Sequence, residues 1–363
     1  MSELPHIALS GTAYERGVVH GETFADEIRK NVSVYLDRFE HHGASEETVR
    51  ERAADFLPRI EEWHPEYAEE LRGVAEGSGV PDVLVALLNV RYEVLYAAYS
   101  DESAGIDGCT SFGLLPEATA DGHAYVGQNW DWAAPIADTL IVTEVRRDDG
   151  PDHLAVTEAG IVGGKMGVNE RGIGLAVNGL VSPNDGDRPF RKPFHIRCRE
   201  VLNAGRFDAA LEALVSSSRV CSANFVVGHA DGEVINVETS PDRTGYVYPS
   251  NGIVAHANHF VTDGFESRME RQLPDTLYRA SRLRRPFERR SGDVDLGTVE
   301  SALRDHFGHP ASICRHVDDG AHPLDATQTD TSVIVDLTDR TIRATRGPPC
   351  EAAYATYRLE RTA

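Results

Sequence analysis

The chain predicts an α+β protein: a four-layer αββα sandwich of mostly antiparallel sheets, preceded by a helical N-terminal segment. Three observations predict it. The first hundred residues place apolar side chains at a helical period. From Cys109 onward, short strand-like runs are joined by turns such as Asp121-Gly122 and Asp231-Gly232. Helical stretches recur in pairs between groups of strands, rather than after every strand. Hairpin joints make neighbouring strands antiparallel, and two such sheets bury one face each against the other with helices outside.

Taken in order, residues 13–41 carry Val18, Val19, Phe24, Ile28, Val32, Tyr35, Leu36 and Phe39 at roughly helical spacing. Ser45, followed by Glu46, Glu47 and Thr48, reads as the N-cap of a second helix, interrupted at Pro58 or Pro65. A third helix covers 66–76 and stops at Gly77-Ser78-Gly79; a fourth opens near Pro81 and runs to Tyr99. Residues 101–108 are small, acidic and glycine-containing, as an exposed linker would be. Strands are expected at 110–115, 123–128, 139–146, 153–158, 165–168, 173–178, 224–229, 233–238, 252–258, 331–337 and 341–346. Helices are expected at 194–204, 207–215, 274–290 and 296–307.

With 363 residues, 41% hydrophobic and 26% charged, the composition is that of a globular protein. No apolar run has membrane-spanning length, and Met1-Ser2-Glu3-Leu4-Pro5-His6 lacks the basic and apolar regions of a signal peptide, so a cytoplasmic protein is expected. The net charge of −22 repels nucleic acid and anionic membranes, which excludes both as expected partners. Lys30, Lys165 and Lys192 are the only lysines. An acidic, lysine-poor chain suits a salt-rich, halophilic cytoplasm, where screening removes self-repulsion, or a high-GC genome. The five cysteines are odd in number and contain no C-x-x-C pair, which argues against a disulfide framework and a structural zinc site.

The chemistry centres on Asp107-Gly108-Cys109-Thr110-Ser111 and on Gly127-Gln128-Asn129-Trp130-Asp131-Trp132. A thiol at Cys109 could attack the carbonyl of Gly108, where glycine tolerates the backbone strain of that attack. An N-to-S acyl shift followed by hydrolysis would then free an α-amine on the same residue as the thiol. That amine titrates at about 7.7–8.0, so it serves as a base near neutral pH without a separate histidine. The plain alternative is a buried packing cysteine. Asp131 sits between two indoles at the end of the second predicted strand, where a carboxylate would hold the α-ammonium or orient the thiol; a turn residue or cap is the commoner use of an aspartate. His256-Ala257-Asn258-His259-Phe260 offers an amide to a developing oxyanion. Phe112, Trp130 and Trp132 are candidates for an acyl-binding pocket, with core packing as the alternative.

These motifs resemble the penicillin acyltransferase (isopenicillin N acyltransferase-like), autoproteolytic family of N-terminal-nucleophile (Ntn) hydrolases. The resemblance also rests on Tyr14-Glu15-Arg16-Gly17, His20-Gly21, Asn169-Glu170-Arg171-Gly172-Ile173-Gly174 and Gly347-Pro348-Pro349-Cys350, and spans most of the chain. It implies an Ntn-hydrolase sandwich, with 1–108 as a helical prosegment that stays associated and 109–363 as the catalytic subunit. It implies cleavage between Gly108 and Cys109, Cys109 as nucleophile, Asp131 as the orienting carboxylate and Asn258 in the oxyanion hole. A serine or threonine among Thr327, Thr329, Thr331 and Ser332 would assist processing. Cys350 is read as a packing residue. The expected reaction is hydrolysis or transfer of the acyl group of a small N-acyl amide through a thioester, with an amine acceptor or acyl-CoA as further partners and with no cofactor or metal. Two other readings stand beside it: a zinc-dependent amidohydrolase built on His256 and His259, and a non-catalytic binding protein on the same fold.

Overall fold

The computed structural model describes residues 3–98 and 108–359. The first part holds β1 (His6–Leu9) and helices α1 (Ala13–Thr23), α2 (Ala25–His41), α3 (Glu46–Trp63), α4 (Pro65–Ser78), α5 (Asp82–Asn89) and α6 (Arg91–Ala98). The second opens with strands β2 (Thr110–Leu114), β3 (Tyr125–Ala133), β4 (Leu140–Val145), β5 (His153–Glu158), β6 (Met166–Asn169) and β7 (Ile173–Gly179). Then come α7 (Phe194–Leu202), α8 (Phe207–Val215), β8 (Ala223–His229), β9 (Glu233–Thr239), β10 (Thr244–Val247) and β11 (Ile253–His256). The chain continues through α9 (Met269–Gln272), α10 (Thr276–Arg289) and α11 (Leu296–Leu303), and closes with β12 (Thr327–Asp336), β13 (Thr341–Ala344) and β14 (Ala355–Arg358).

One sheet runs β1-β4-β5-β6-β7-β8-β9-β10 and the other β11-β2-β3-β12-β13-β14. The β1–β4 pair is parallel; the other pairs are antiparallel. Side-chain alternation divides the six-stranded sheet cleanly. Phe112, Leu114, Tyr125, Ile253 and Ile334 pack with Leu283, Phe287, Val299 and Leu303 of α10 and α11. Val126, Val254, Val333 and Val335 join the main core with Val226, Val227 and Val234 of the eight-stranded sheet. Helices α7 and α8 belong to the other side, where Asn169 Nδ2 donates to Leu202 O and Ala204 O. The expected four-layer αββα sandwich is therefore the observed one, and Phe112, expected as a pocket residue, is core, its ring 5.5 Å from that of Phe287.

The N-terminal part departs from an all-helical segment: His6–Leu9 is an edge strand, too short to show a period. The helix expected over 13–41 breaks at Phe24, because its halves serve different surfaces. Gly17 and Gly21 of α1 face Gly73 and Gly77 of α4 so closely that a Cβ on Gly17 would lie 2.1 Å from Glu70 O, and one on Gly73 2.2 Å from Tyr14 O. The second half, α2, instead reaches the sheet, where Tyr35 Oη donates to Glu158 Oε2 at 2.6 Å. Gly17→Ala therefore forces two backbones apart. It is expected to destabilise by about 3 kcal/mol, read as a lowered urea midpoint at unchanged slope. Ser45 caps α3 as expected, accepting from Thr48 N, and α3 continues through Pro58 to Trp63. The helix expected from Pro81 divides at Val90 into α5 and α6. Tyr99 and residues 101–107 of the expected linker lie outside the described residues.

Residues 3–98 are built into the same core as the rest. Asn31 Nδ2 donates to Ala159 O, Asn89 Nδ2 to Gly160 O, and Gly160 N to His20 Nε2. Arg199 joins Glu70, and Arg91 and Lys165 share Glu158, all buried. Among the described residues no helix is long and apolar enough to cross a membrane.

Candidate active site

Strand β2 runs between β3 and β11, with Thr110 opposite Asn129 and Ser111 opposite His256. Cys109 immediately precedes β2 and is buried. Asp131 lies inside β3, not beyond its end, because β3 runs on through the whole Gln-Asn-Trp-Asp-Trp motif. Each of its buried amides finds a partner for one of its two polar atoms within the protein, which helps a polar sequence form a buried strand. Val177 N donates to Gln128 Oε1, and Asn129 Nδ2 donates to Leu303 O and Ile313 O, both at 2.8 Å. Strand β12 lies on the far side of β3, with Thr329 opposite Asp131.

Two arginines and an aspartate, none of them singled out by the sequence, join the expected residues into one network. Arg279 Nη1 donates to Gly108 O and Cys109 O at 2.6 Å each and to Thr110 Oγ1 at 2.7 Å. Its Nη2 donates to Asn258 Oδ1 at 2.9 Å, and its Nε to Asp275 Oδ2 at 2.8 Å. Arg315 Nη2 donates to the same Asp275 oxygen, and Arg315 Nε lies 3.3 Å from Asp131 Oδ2. The Gly108–Cys109 peptide thus rests on Arg279, while a Cβ on Gly108 would lie 2.6 Å from Arg315 Nε. A side chain there would push the Arg315 guanidinium aside, so glycine serves here by its small size rather than by its backbone freedom. Asp275 and Arg279 stand four apart in the predicted helix, but that spacing reads equally as a surface ion pair.

Asp131 is fully buried. Burial pushes its carboxyl up to about 7, against the pull of Arg315, Arg279 and the Thr329 hydroxyl. Of the four candidate hydroxyls, Thr329 meets Asp131: its Oγ1 donates to Asp131 Oδ1 at 2.6 Å and accepts from Arg315 N at 2.9 Å. Ser332 Oγ instead pairs with Tyr354 Oη.

Asn258 lies two residues past β11 and is fully buried. Its amide orientation is fixed by chemistry: Oδ1 faces an arginine, which only donates, and Nδ2 donates to the carbonyl of Gly179 at 2.9 Å. His256 and His259 are used separately. His256 Nε2 pairs with Glu238 Oε1 at 2.7 Å, and His259 Nδ1 meets Thr276 Oγ1 at 3.0 Å. Among the described residues, the His256–His259 metal reading therefore has no shared ligand cage.

Trp130 lines a narrow cavity with Tyr92, Val177, Gly179, Phe194 and Cys221. That cavity adjoins the network through Gly179, the carbonyl partner of Asn258. Trp132 lines a neighbouring narrow cavity with Tyr35, Arg38, Phe39, Arg91 and, again, Tyr92, and its Nε1 donates to Tyr35 Oη at 2.7 Å. Of the three aromatics expected together, Phe112 thus goes to the core, while Trp130 and Trp132 stack at 6.5 Å and line adjacent cavities that share Tyr92.

Residues 118–348 match the family described as acyl-coenzyme A:6-aminopenicillanic acid acyl-transferase. The chain is 31% identical over 326 residues to the acyl-coenzyme A:6-aminopenicillanic-acid-acyltransferase 40 kDa form of Emericella nidulans, covering 87% of this chain and 85% of that protein. Among solved structures, penicillin V acylase from Agrobacterium tumefaciens aligns with a TM-score of 0.46 at 12% identity over 66% of this chain and 83% of its own. The Caenorhabditis elegans N-acylethanolamine-hydrolyzing acid amidase ortholog gives 0.45 at 14% identity over 63% and 93%. From the family match and the identity to the Emericella protein, the chain belongs to the acyl-coenzyme A:6-aminopenicillanic acid acyltransferase family.

Proposed function

We propose that the chain is the precursor of an N-terminal cysteine amidohydrolase or acyltransferase that cuts itself between Gly108 and Cys109. The observation that carries this reading is the hold of Arg279 on the Gly108 carbonyl, one peptide before a buried cysteine. A guanidinium on a carbonyl oxygen draws electron density from its carbon and stabilises the oxyanion that forms when a thiolate adds. The Cys109 sulfur adds to the Gly108 carbonyl carbon. The Gly108–Cys109 C–N bond breaks, the nitrogen takes a proton, and a thioester remains. Water then cleaves the thioester to a Gly108 carboxylate and restores the thiol, now beside a free α-amine.

In the mature form that α-amine takes the thiol proton, and the thiolate attacks the carbonyl of an N-acyl amide. A free thiol titrates at about 8.5, and the adjacent ammonium and Arg279 both favour the thiolate. Asn258, aligned by Arg279, gives its amide N–H to the tetrahedral oxyanion. The protonated α-amine returns its proton to the departing amine. The thioester is resolved by water in a hydrolase or by a second amine in a transferase. The related Emericella protein's name pairs acyl-CoA with an amine acceptor, which supports an acyl-CoA donor here as well. The prosegment stays bound through the buried contacts of Asn31, Tyr35, Asn89 and Arg91.

The test is a denaturing gel with N-terminal sequencing. Two fragments of about 12 and about 28 kDa are expected, the chain's 39.7 kDa divided at residue 108, the larger beginning Cys-Thr-Ser-Phe. Fully active protein still joined across 108 and 109 would overturn the proposal.

A pH dependence follows from Asp131. Its proton is held in the fold to about pH 7, far above its usual range, by burial. The stabilisation from that proton is complete below about pH 4 and is lost as the pH rises toward 7. The ionised carboxylate is the form that grips Arg315 and, after scission, the new ammonium. Cleavage of freshly refolded precursor, followed by gel, is therefore expected to speed up as the pH rises through about 7. Asp131→Asn is expected to be slow throughout and to lack that inflection.

A further inference from the structure

Arg315 faces Asp131 and Asp275, while its neighbours on either side, Cys314 and His316, converge elsewhere, on His306 and Cys350. The four potential donor atoms all lie within 4.8 Å of one another. His306 Nε2 is 3.1 Å from His316 Nε2, and Cys314 Sγ is 3.5 Å from Cys350 Sγ. His316 Nε2 is 3.3 Å from Cys350 Sγ and 3.7 Å from Cys314 Sγ. A sulfur pair at 3.5 Å is far too long for a disulfide, which needs about 2.05 Å. A tetrahedral zinc with bonds of about 2.3 Å to sulfur and about 2.0–2.1 Å to nitrogen has edges of about 3.8 Å between sulfurs, about 3.5 Å from sulfur to nitrogen, and about 3.3 Å between nitrogens. These four spacings fall within a few tenths of an ångström of those edges.

We propose that His306, Cys314, His316 and Cys350 form a structural Cys2His2 zinc site. The donor set is the one that selects tetrahedral zinc: two soft thiolates and two imidazoles. The surroundings fit as well. The other nitrogen of His316, Nδ1, lies 3.4 Å from Glu351 Oε1, the carboxylate–histidine arrangement that orients a ligating imidazole. The ligand loop is braced by its backbone, with Cys314 N donating to Asp305 O and His316 N to Pro310 O. Cys350 is exposed, so a surface side chain, rather than the packing residue expected from the sequence, closes the site. Binding displaces the two thiol protons to solvent.

Four protein ligands leave no open position, so the ion holds structure rather than substrate. It would clamp the loop after α11 to the Gly347-Pro348-Pro349-Cys350 turn. That loop delivers Arg315 to Asp131 and the Ile313 carbonyl to Asn129. The absence of a C-x-x-C pair hid the site, because its ligands lie 10 and 36 positions apart along the chain and meet only in the fold.

The test uses full-length, untagged protein purified in thiol-containing buffer. Elemental analysis is expected to find about one zinc per chain. Replacement by cobalt is expected to produce the thiolate charge-transfer band and the strong visible bands of a tetrahedral site. Cys350→Ser, at an exposed position, is expected to keep the fold and to lose the zinc and the thiolate band. A chelator should lower the melting temperature of the wild type and leave that of Cys350→Ser unchanged. Wild-type protein without stoichiometric zinc and without a cobalt–thiolate spectrum would overturn the proposal. So would a Cys350→Ser variant with its metal content intact, or recovery of Cys314 and Cys350 as a disulfide under those reducing conditions.

Discussion

Cys109→Ala is expected to yield one uncut chain of 39.7 kDa with no measurable turnover, while remaining folded. Losing a sulfur from a buried site opens a small cavity, which costs about 1 kcal/mol, too little to unfold a chain whose core spans both parts. The loss of activity would then be chemical. Without sulfur there is no thioester, the Gly108–Cys109 bond survives, and no α-amine appears. Cys109→Ser separates the two roles. A hydroxyl can still attack, so slow cleavage with residual turnover is expected, with the amine intact and a poorer nucleophile. The readouts are a denaturing gel, circular dichroism and single-turnover hydrolysis of an N-acyl amide. An alanine variant that is still cut at 108, or that still turns over, would remove Cys109 from the chemistry.

Asn258→Ala is expected to be cleaved and folded yet to lose about 10²–10³-fold in kcat, or about 2.7–4 kcal/mol of transition-state stabilisation. The loss falls on kcat rather than KM because the amide meets an oxyanion that exists only along the reaction. The variant also deprives Arg279 Nη2 of its partner, so Asn258→Asp is the sharper comparison. It keeps an acceptor for the arginine and removes the N–H donor. Both variants should be equally slow if the donor matters, whereas recovery in Asn258→Asp would mean that Asn258 acts only by holding Arg279.

Much of the architecture was legible from period and turns. The hairpin across Asp231-Gly232, the Ser45 cap and helix α8 at 207–215 appear where local chemistry places them. The errors share one physical source: tertiary partners override local pattern. β3 extends past its predicted end because Asn129 Nδ2 and the Asp131 carboxylate meet distant groups, which alternation along the chain does not reveal. The break at Phe24 follows from a glycine seam between two helices some 50 residues apart. At the candidate site, Cys109, Asp131 and Asn258 were proposed from the sequence because their motifs are compact. Arg279, Arg315 and Asp275 were not, since an arginine in a helix or loop looks like any surface cation until its burial is known. Thr329 stood out from its neighbours only once the strand register set it opposite Asp131.

The opening strand of the larger sheet and the glycine seam belong to residues ahead of the proposed cut. Intact, the polypeptide brings them to the core by intramolecular encounter. Once severed and denatured, the same surfaces must find each other by diffusion, at dilutions where that meeting is rare. Such an enzyme would refold readily only before it has matured, and its working lifetime would be governed by how slowly it comes apart rather than by how favourably it folds.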